Sequence, residues 1–306
     1  TWSTLIAGYA EEGRGHEALE CFEHMQREDL SPNKVTYISI LKACGSIGAI
    51  DKGKIIHNEI ISMGLLKRNI ELNNALVDMY AKCGYLAKAQ GILETLPVRN
   101  VVTWSALIAG YVKQGSCQQA LECFERMQME GIMPDGVTFT CMLKACSNIG
   151  IIDKGQQIHH EIVKNGYLDK STVLGTALVD MYAKCGMLQK AQDVLEELPV
   201  RNVVSWSALI AGYSQARQGD EVLRCIAQMQ SEGLSPNEIT FLSVLNACNQ
   251  AGKLGEAQIY YEDMSRKYGI APKSEHHTAM VVLFGCIGCL DKAISVVTAM
   301  PFSGDP

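Results

Sequence analysis

Two His-x-Glu triplets, His57-x-Glu59 and His159-x-Glu161, and the pair Cys286-x-x-Cys289 are the residues whose types and spacing point first to reactive chemistry. Combined, they would supply the histidine, the acid–base glutamate and the cysteine pair with which a zinc-dependent base deaminase activates water. Their arrangement argues against it. No proline precedes Cys286, and 127 positions separate it from His159. The His-x-Glu triplet also returns at an interval of 102 residues, which marks it as part of a repeated helix with a structural role. One Cys-x-x-Cys without a second pair is a weak metal signal, even with His276 and His277 nearby. No Ser/His/Asp order, P-loop or dinucleotide fingerprint is present. The sequence implies no metal, no cofactor and no catalytic centre.

The interval of 102 is the organising feature, since internal repeats take precedence in any reading. The 306 residues make three such periods, marked by Trp2, Trp104 and Trp206. Asn100-Val-Val-Thr-Trp-Ser-Ala-Leu-Ile-Ala-Gly-Tyr111 returns almost unchanged at 202–213, and Ala75-Leu-Val-Asp-Met-Tyr-Ala-Lys-Cys-Gly84 returns at 177–186. Each period divides into three units of similar pattern. The nine units span 1–33, 34–69, 70–100, 101–135, 136–171, 172–202, 203–237, 238–273 and 274–305. The chain lacks an initiator Met and starts inside the pattern, so it is read as a fragment or a processed product.

Every unit reads as a helical hairpin. In 101–135, Trp104, Leu107, Ile108 and Tyr111 fall at i, i+3, i+4 and i+7, one face of a helix. Gly115 suits the left-handed position that stops it. Ala120, Phe124 and Met127 line the second helix, and Gly131 and Pro134 end it. A lone hairpin of this size cannot bury its apolar face, whereas stacked neighbours can. The expected fold is all-α: a right-handed α-solenoid superhelix of about nine helix-turn-helix repeats, a single array over 1–306, with first helices lining its concave face. Gly110 and Gly212, inside first helices, are expected to permit close packing.

Composition narrows the function classes. Hydrophobic residues make up 47% and charged residues 20%, which excludes intrinsic disorder. No apolar run approaches the roughly 20 residues that span a bilayer, so no membrane role is expected. Net charge is −6, which gives no support to a strongly basic nucleic-acid binder. Most of the twelve cysteines share a phase of the repeat, as in Cys44, Cys146 and Cys248. Equivalent positions of stacked units are not disulfide partners, so they read as buried thiols of a reducing compartment.

Trp104-x-x-Leu107-x-x-x-Tyr111 followed by Ala120-x-x-x-Phe124 and Pro134 approaches the tetratricopeptide signature. That pattern expects Gly where Ile108 stands, and a constant 34-residue period. The alternation of 35, 36 and 31 residues resembles instead the pentatricopeptide-repeat (PPR) family, in its plant PLS class of alternating P, L and S repeats. The resemblance covers essentially the whole chain. Its most specific segments are Leu41-Lys-Ala-Cys44 with Gly53-Lys-Ile-Ile-His57, Ala75 to Gly84, and Leu96-Pro-Val-Arg-Asn100.

The resemblance implies single-stranded RNA binding in a chloroplast or mitochondrion, with bases read by the fifth and last residues of a repeat. An Asp at the last position only accepts, which suits the imino N–H of guanine or uracil, while Asn offers its amide to the ring nitrogen of adenine or cytosine. By the family's pattern, Ser or Thr at the fifth position goes with purines and Asn with pyrimidines. Ser3/Asn33 then implies A, Asn74/Asn100 a pyrimidine, Ser105/Asp135 G, Thr176/Asn202 A, Ser207/Asn237 A and Thr278/Asp305 G. The L repeats (Ile38/Asn69, Thr140/Ser171, Leu242/Lys273) do not fit and are assigned spacing or a protein contact. The expected target is 5′-A-N-Y-G-N-A-A-N-G-3′. The bland reading of each pair is a helix cap plus a loop residue.

Val35, Val102, Val137, Val173, Val204 and Ile239 occupy the second position, where the family sandwiches bases; core packing explains them equally well. Lys82, Lys113 and Lys184 share position 13 and would meet phosphates, or simply favour a helix C-terminus. The resemblance implies a targeting module for organellar RNA editing or processing, aided by an editing cofactor protein on the L repeats. Such proteins commonly continue into a deaminase-like DYW domain. This chain stops at Pro306 and is expected to recognise RNA without altering it. The competing reading is a tetratricopeptide-like scaffold that binds peptides.

Overall fold

The computed structural model of the protein describes residues 1–168 and 171–299, all helical or in turns and connecting segments with no strand among them. They fall into two compact units, Thr1–Ile149 and Gly150–Pro306. Each unit is an α-solenoid of stacked hairpins, in keeping with the 3.6-residue periodicity.

In the first unit α1 (Trp2–Glu11) pairs with α2 (Gly15–Arg27), and α3 (Lys34–Ile47) with α4 (Ile50–Ser62). Then α5 (Ile70–Lys82) pairs with α6 (Leu86–Thr95) and α7 (Val101–Lys113) with α8 (Cys117–Met129), and α9 (Gly136–Ile149) closes the unit. The second unit opens with α10 (Ile152–Lys164), followed by α11 (Thr172–Lys184) with α12 (Leu188–Glu197) and α13 (Val203–Gln215) with α14 (Gly219–Ser231). It ends with α15 (Glu238–Ala251) and α16 (Leu254–Arg266), then α17 (Ser274–Cys286) and α18 (Leu290–Ala299). First helices stack on one another: α1 on α3, α3 on α5, α5 on α7 and α7 on α9, and likewise α11, α13, α15 and α17.

The core follows the pattern of the sequence. Trp104, Leu107, Ile108 and Tyr111 of α7 are buried together with Ala120, Phe124 and Met127 of α8. Each large side chain removed from water contributes roughly 1.5–3 kcal/mol, and a stacked neighbour covers what one hairpin leaves open. A Cβ on Gly110 would lie 2.7 Å from Leu86 Cδ2 and 2.9 Å from Ala81 Cβ. The close approach it permits is therefore to the preceding hairpin. Gly115 ends α7 at φ 75°, as expected; Arg217, at the same phase after α13, adopts φ 57° without being glycine.

A clamp explains the invariance of Arg-Asn-Val-Val-x-Trp between periods. The Trp104 indole donates to Glu130 at 3.2 Å, and Arg99 pairs with the same carboxylate. Trp206 donates to Glu232 at 2.9 Å, which Arg201 meets at 3.1 Å. An arginine before one hairpin is thus tied to the residue that ends the second helix of that hairpin.

The twelve cysteines are free. Cys44, Cys123, Cys146, Cys225 and Cys248 are buried, Cys21, Cys83 and Cys185 half-buried, and Cys286 is exposed. Burial pushes the Cys44 and Cys225 thiols up to about 12 and those of Cys123 and Cys248 to about 11. These thiols stay protonated at neutral pH and are poor nucleophiles.

Candidate nucleic-acid interface

The first helix of a hairpin leaves its opening N–H groups without intrahelical partners. In this chain the residue before the helix supplies the missing acceptor. Oδ1 of Asn33 accepts the N–H of Thr36 at 2.9 Å, Asn100 that of Thr103 at 3.0 Å, and Asp135 that of Thr138 at 2.8 Å. Asn202 accepts from Ser205 at 2.9 Å and Asn237 from Thr240 at 2.9 Å. All five are last residues of units. Capping engages one of the two terminal atoms of each side chain and thereby fixes the place of the other. A capping Asn has Nδ2, a donor, left over; a capping Asp has Oδ2, an acceptor.

The units that break the fifth/last pattern also lose or loosen the cap. Asn69 makes no side-chain cap, and its Nδ2 donates to Leu65 O at 2.8 Å. Ser171 caps at a long 3.4 Å and has no second polar atom. Lys273 extends to Glu238, 2.5 Å away.

The fifth residues divide into two environments. Ser105 and Ser207 are buried, and Ser3 is half-buried. Each shares a hydrogen bond with a threonine of the next hairpin: Ser3 with Thr36 (2.8 Å), Ser105 with Thr138 (2.6 Å) and Ser207 with Thr240 (2.9 Å). Ser105 and Ser207 also lie 2.7 Å and 2.6 Å from the carbonyls of Val101 and Val203. Their hydroxyls are sealed into the protein, which the pairing pattern did not reveal. Asn74, Thr176 and Thr278 have no such threonine. Asn74 Oδ1 is shut off from solvent without a hydrogen-bond partner. Thr176 donates to Thr172 O at 2.9 Å and meets Asn202 Nδ2 at 3.5 Å. Thr278 is exposed and donates to Ser274 O at 2.8 Å. Its partner Asp305 lies outside the described residues.

The second-position residues are not core. Val35, Val102, Val137, Val173, Val204 and Ile239 are between 52% and 62% exposed. Each follows a unit's last residue by two positions. A β-branched apolar side chain thus stands in solvent beside each cap, on the first turn of α3, α7, α9, α11, α13 and α15. The core-packing alternative for these six is overturned. At the equivalent positions Glu71, which pairs with Lys34 at 2.6 Å, and Glu275 are exposed acids.

Lys82, Lys113 and Lys184 are exposed near the C-terminal ends of α5, α7 and α11. Lys82 meets Asp78 at 2.7 Å and Lys184 meets Asp180 at 2.8 Å. Exposed i,i+4 pairs are worth only about 0.3–0.5 kcal/mol, so a phosphate could displace either carboxylate.

The histidines have a structural explanation. His57 Nδ1 and Tyr80 OH lie 2.9 Å apart, as do His159 Nδ1 and Tyr182 OH, while Tyr261 OH and His277 Nδ1 lie 2.6 Å apart. Burial pushes His57 and His159 below the ordinary imidazole value. Glu59 accepts from Tyr37 OH at 2.7 Å. Among the described residues no group of three or more His, Cys, Asp or Glu is placed to hold a metal ion, and no helix is long and apolar enough to cross a membrane.

Known proteins align with this arrangement. The profile of the PPR repeat family matches residues 1–46, 99–148 and 201–250, and that of the PPR repeat matches 74–101, 137–167, 176–203 and 239–268. A mitochondrial pentatricopeptide repeat-containing protein of Arabidopsis thaliana is 36% identical over 307 aligned residues, covering 99% of this chain and 44% of the relative. A second from that plant is 38% identical over 307, covering 100% and 54%. The chain thus spans about half the length of the curated relatives it matches. Among solved structures, the pentatricopeptide repeat protein PPR10 in complex with an 18-nucleotide psaJ RNA element superposes with a TM-score of 0.79 at 22% identity, over 98% of this chain and 44% of that one. PPR10 from maize gives a TM-score of 0.53 at 18% identity, over 97% and 53%.

Proposed function

The chain belongs to the pentatricopeptide repeat family, and on that premise we propose that it binds single-stranded RNA sequence-specifically, one base for each P or S repeat. The observation that carries this reading is the row of capping residues, each with one side-chain atom locked into a helix start and the other outside the cap, each beside an exposed Val or Ile. A base slotted between successive β-branched side chains would lose water from both faces. Its Watson–Crick edge would meet the Nδ2 of Asn33, Asn100 or Asn237, that of Asn202 beside its long 3.5 Å contact to Thr176, or the Oδ2 of Asp135. The structural neighbour PPR10 is bound to RNA in its own complex, which supports RNA binding here.

The units at 34–69, 136–171 and 238–273 act as L repeats in a P-L-S array. Their ends offer no free amide or carboxylate to a base, so they serve as spacers or as contacts for an editing cofactor protein. The chain acts as the targeting part of an RNA editing or processing factor in a chloroplast or mitochondrion, and chemistry on the RNA belongs to a partner or to another domain. Lys82, Lys113 and Lys184 are the phosphate contacts. Net charge −6 implies modest affinity that falls with salt.

Fluorescence anisotropy with 5′-A-N-Y-G-N-A-A-N-G-3′, against the same RNA with its fourth base changed to A, tests the reading. Tighter binding of the first is the expected result. Equal binding of both means wrong register or non-specific contact. No binding to either by a folded chain favours a peptide scaffold.

A further inference from the structure

We propose that Thr36, Thr138 and Thr240 are positioning residues for base readout, each holding the last and the fifth residue of the preceding repeat through one buried hydroxyl. This rests on the RNA-binding reading above.

All three threonines are 0% exposed. Thr36 Oγ1 donates to Asn33 Oδ1 at 3.0 Å, Thr138 Oγ1 to Asp135 Oδ1 at 2.8 Å, and Thr240 Oγ1 to Asn237 Oδ1 at 2.9 Å. The same oxygens meet Ser3, Ser105 and Ser207 at 2.8, 2.6 and 2.9 Å. Two side chains of one repeat therefore converge on a hydroxyl of the next, and the arrangement recurs in every period.

The proton count shows what this does. An ionised Asp135 only accepts, so the single Thr138 proton goes to its Oδ1. The Ser105 proton then goes to Thr138 Oγ1, to Val101 O or to the same Asp135 Oδ1, 3.5 Å away, and at the equivalent junction Ser207 Oγ lies 3.1 Å from Asn237 Oδ1, the acceptor it shares with Thr240. In each case it stays inside the protein, and the pair turns one unengaged polar group toward a base, the outer atom of the last residue. With its inner oxygen held by both N–H and O–H of Thr138, the carboxylate cannot rotate to interchange its oxygens. Preorganised groups lose less freedom on binding and discriminate more sharply.

Thr103 and Ser205, at the same position after Asn100 and Asn202, behave differently. Their hydroxyls donate chiefly to the carbonyls of those residues (2.8 and 2.9 Å), with Thr103 Oγ1 a longer 3.4 Å from Asn100 Oδ1, and accept their N–H groups (both 3.1 Å), as Thr240 does from Asn237 at 3.4 Å. Neither bonds the fifth residue, Asn74 or Thr176. They are caps without a relay and serve as internal controls.

Thr138→Val keeps the shape and the backbone N–H while removing the hydroxyl. The expected result is a fall of about five- to tenfold in the preference for G over A at the fourth base, read by anisotropy with the two RNAs above. Thr138→Ser should restore it. Thr103→Val should lower the denaturation midpoint yet leave the pyrimidine preference at the third base unchanged. Thr240→Val, read as A against G at the seventh base, gives an independent measurement should Thr138→Val fail to fold. Wild-type preference in both valine variants overturns the positioning role, as does an equal loss of preference in Thr103→Val. If the unmutated chain binds both RNAs alike, the RNA reading itself fails, and the positioning role falls with it.

Discussion

The junctions after residues 135 and 237 and those after 100 and 202 begin with the same motif, Asn or Asp followed three residues later by Thr or Ser, and fold the same first turn. They differ in where the hydroxyl goes. After Asp135 and Asn237 it bridges to a serine of the previous hairpin. After Asn100 and Asn202 it closes back on the cap's own backbone. The difference lies in the fifth residue: a short serine reaches the threonine, whereas Asn74 leaves its Oδ1 unpaired and Thr176 bonds within its own helix. One local motif thus serves two roles. Which role it plays is set by a side chain about thirty residues earlier, at distances such as the 2.6 Å between Ser105 and Thr138.

The largest expected effect separates capping from readout at a bridged junction. Asp135→Asn keeps a good N-cap but changes the free atom from acceptor to donor. Thermal stability should hardly move, while preference at the fourth base passes from G to A by about tenfold or more, since a specific base contact is worth roughly 1–3 kcal/mol. Competition anisotropy with the two RNAs measures it; an unchanged preference for G would remove the last residue from recognition.

A smaller effect tests whether the bridge is energetically real. Asn100→Ala should cost about 1 kcal/mol through loss of a cap. Asn237→Ala should cost about 1 kcal/mol more, because Ser207 and Thr240 lose their shared acceptor while buried. Urea denaturation of both variants decides; equal costs would mean that the bridge adds nothing to the cap.

The smallest effect concerns the turn inside the hairpin that opens each period. Arg217 stands in the left-handed region where Gly13 and Gly115 occupy the equivalent turns. Arg217→Gly should raise stability by up to about 1 kcal/mol, the strain relieved exceeding the added freedom of the unfolded chain. The same denaturation assay reads it.

Much of the fold was legible because the period repeats local rules. The apolar positions Trp104, Leu107, Ile108 and Tyr111, the stop at Gly115 and the capping Asn or Asp before α3, α7, α9, α13 and α15 are dictated within a few residues, so hairpins and caps could be placed without knowledge of neighbours. The candidate site was legible only as a list of positions. Val102 and its equivalents had equal claim to core and surface, since the first turn of a helix can face either way. Their exposure is settled only by packing, which buries Thr103 and Trp104 and leaves Val102 in solvent. The burial of Ser105 and Ser207 was likewise invisible, for serine is at home on either side of a surface.

The His-x-Glu triplets make the same point from the other side. Their chemistry was open in the sequence, and recurrence at 102 residues argued for a structural part. The partner, Tyr80 or Tyr182, lies on the next hairpin and appears only once α4 packs on α5 and α10 on α11. What the order of residues settles here is what acts over one or two helical turns: periodicity, caps, glycine turns and the array they build. What required packing is every contact between hairpins, because stacking brings together residues about thirty positions apart, and a hydroxyl's partner depends on which atoms then lie within 3 Å of it.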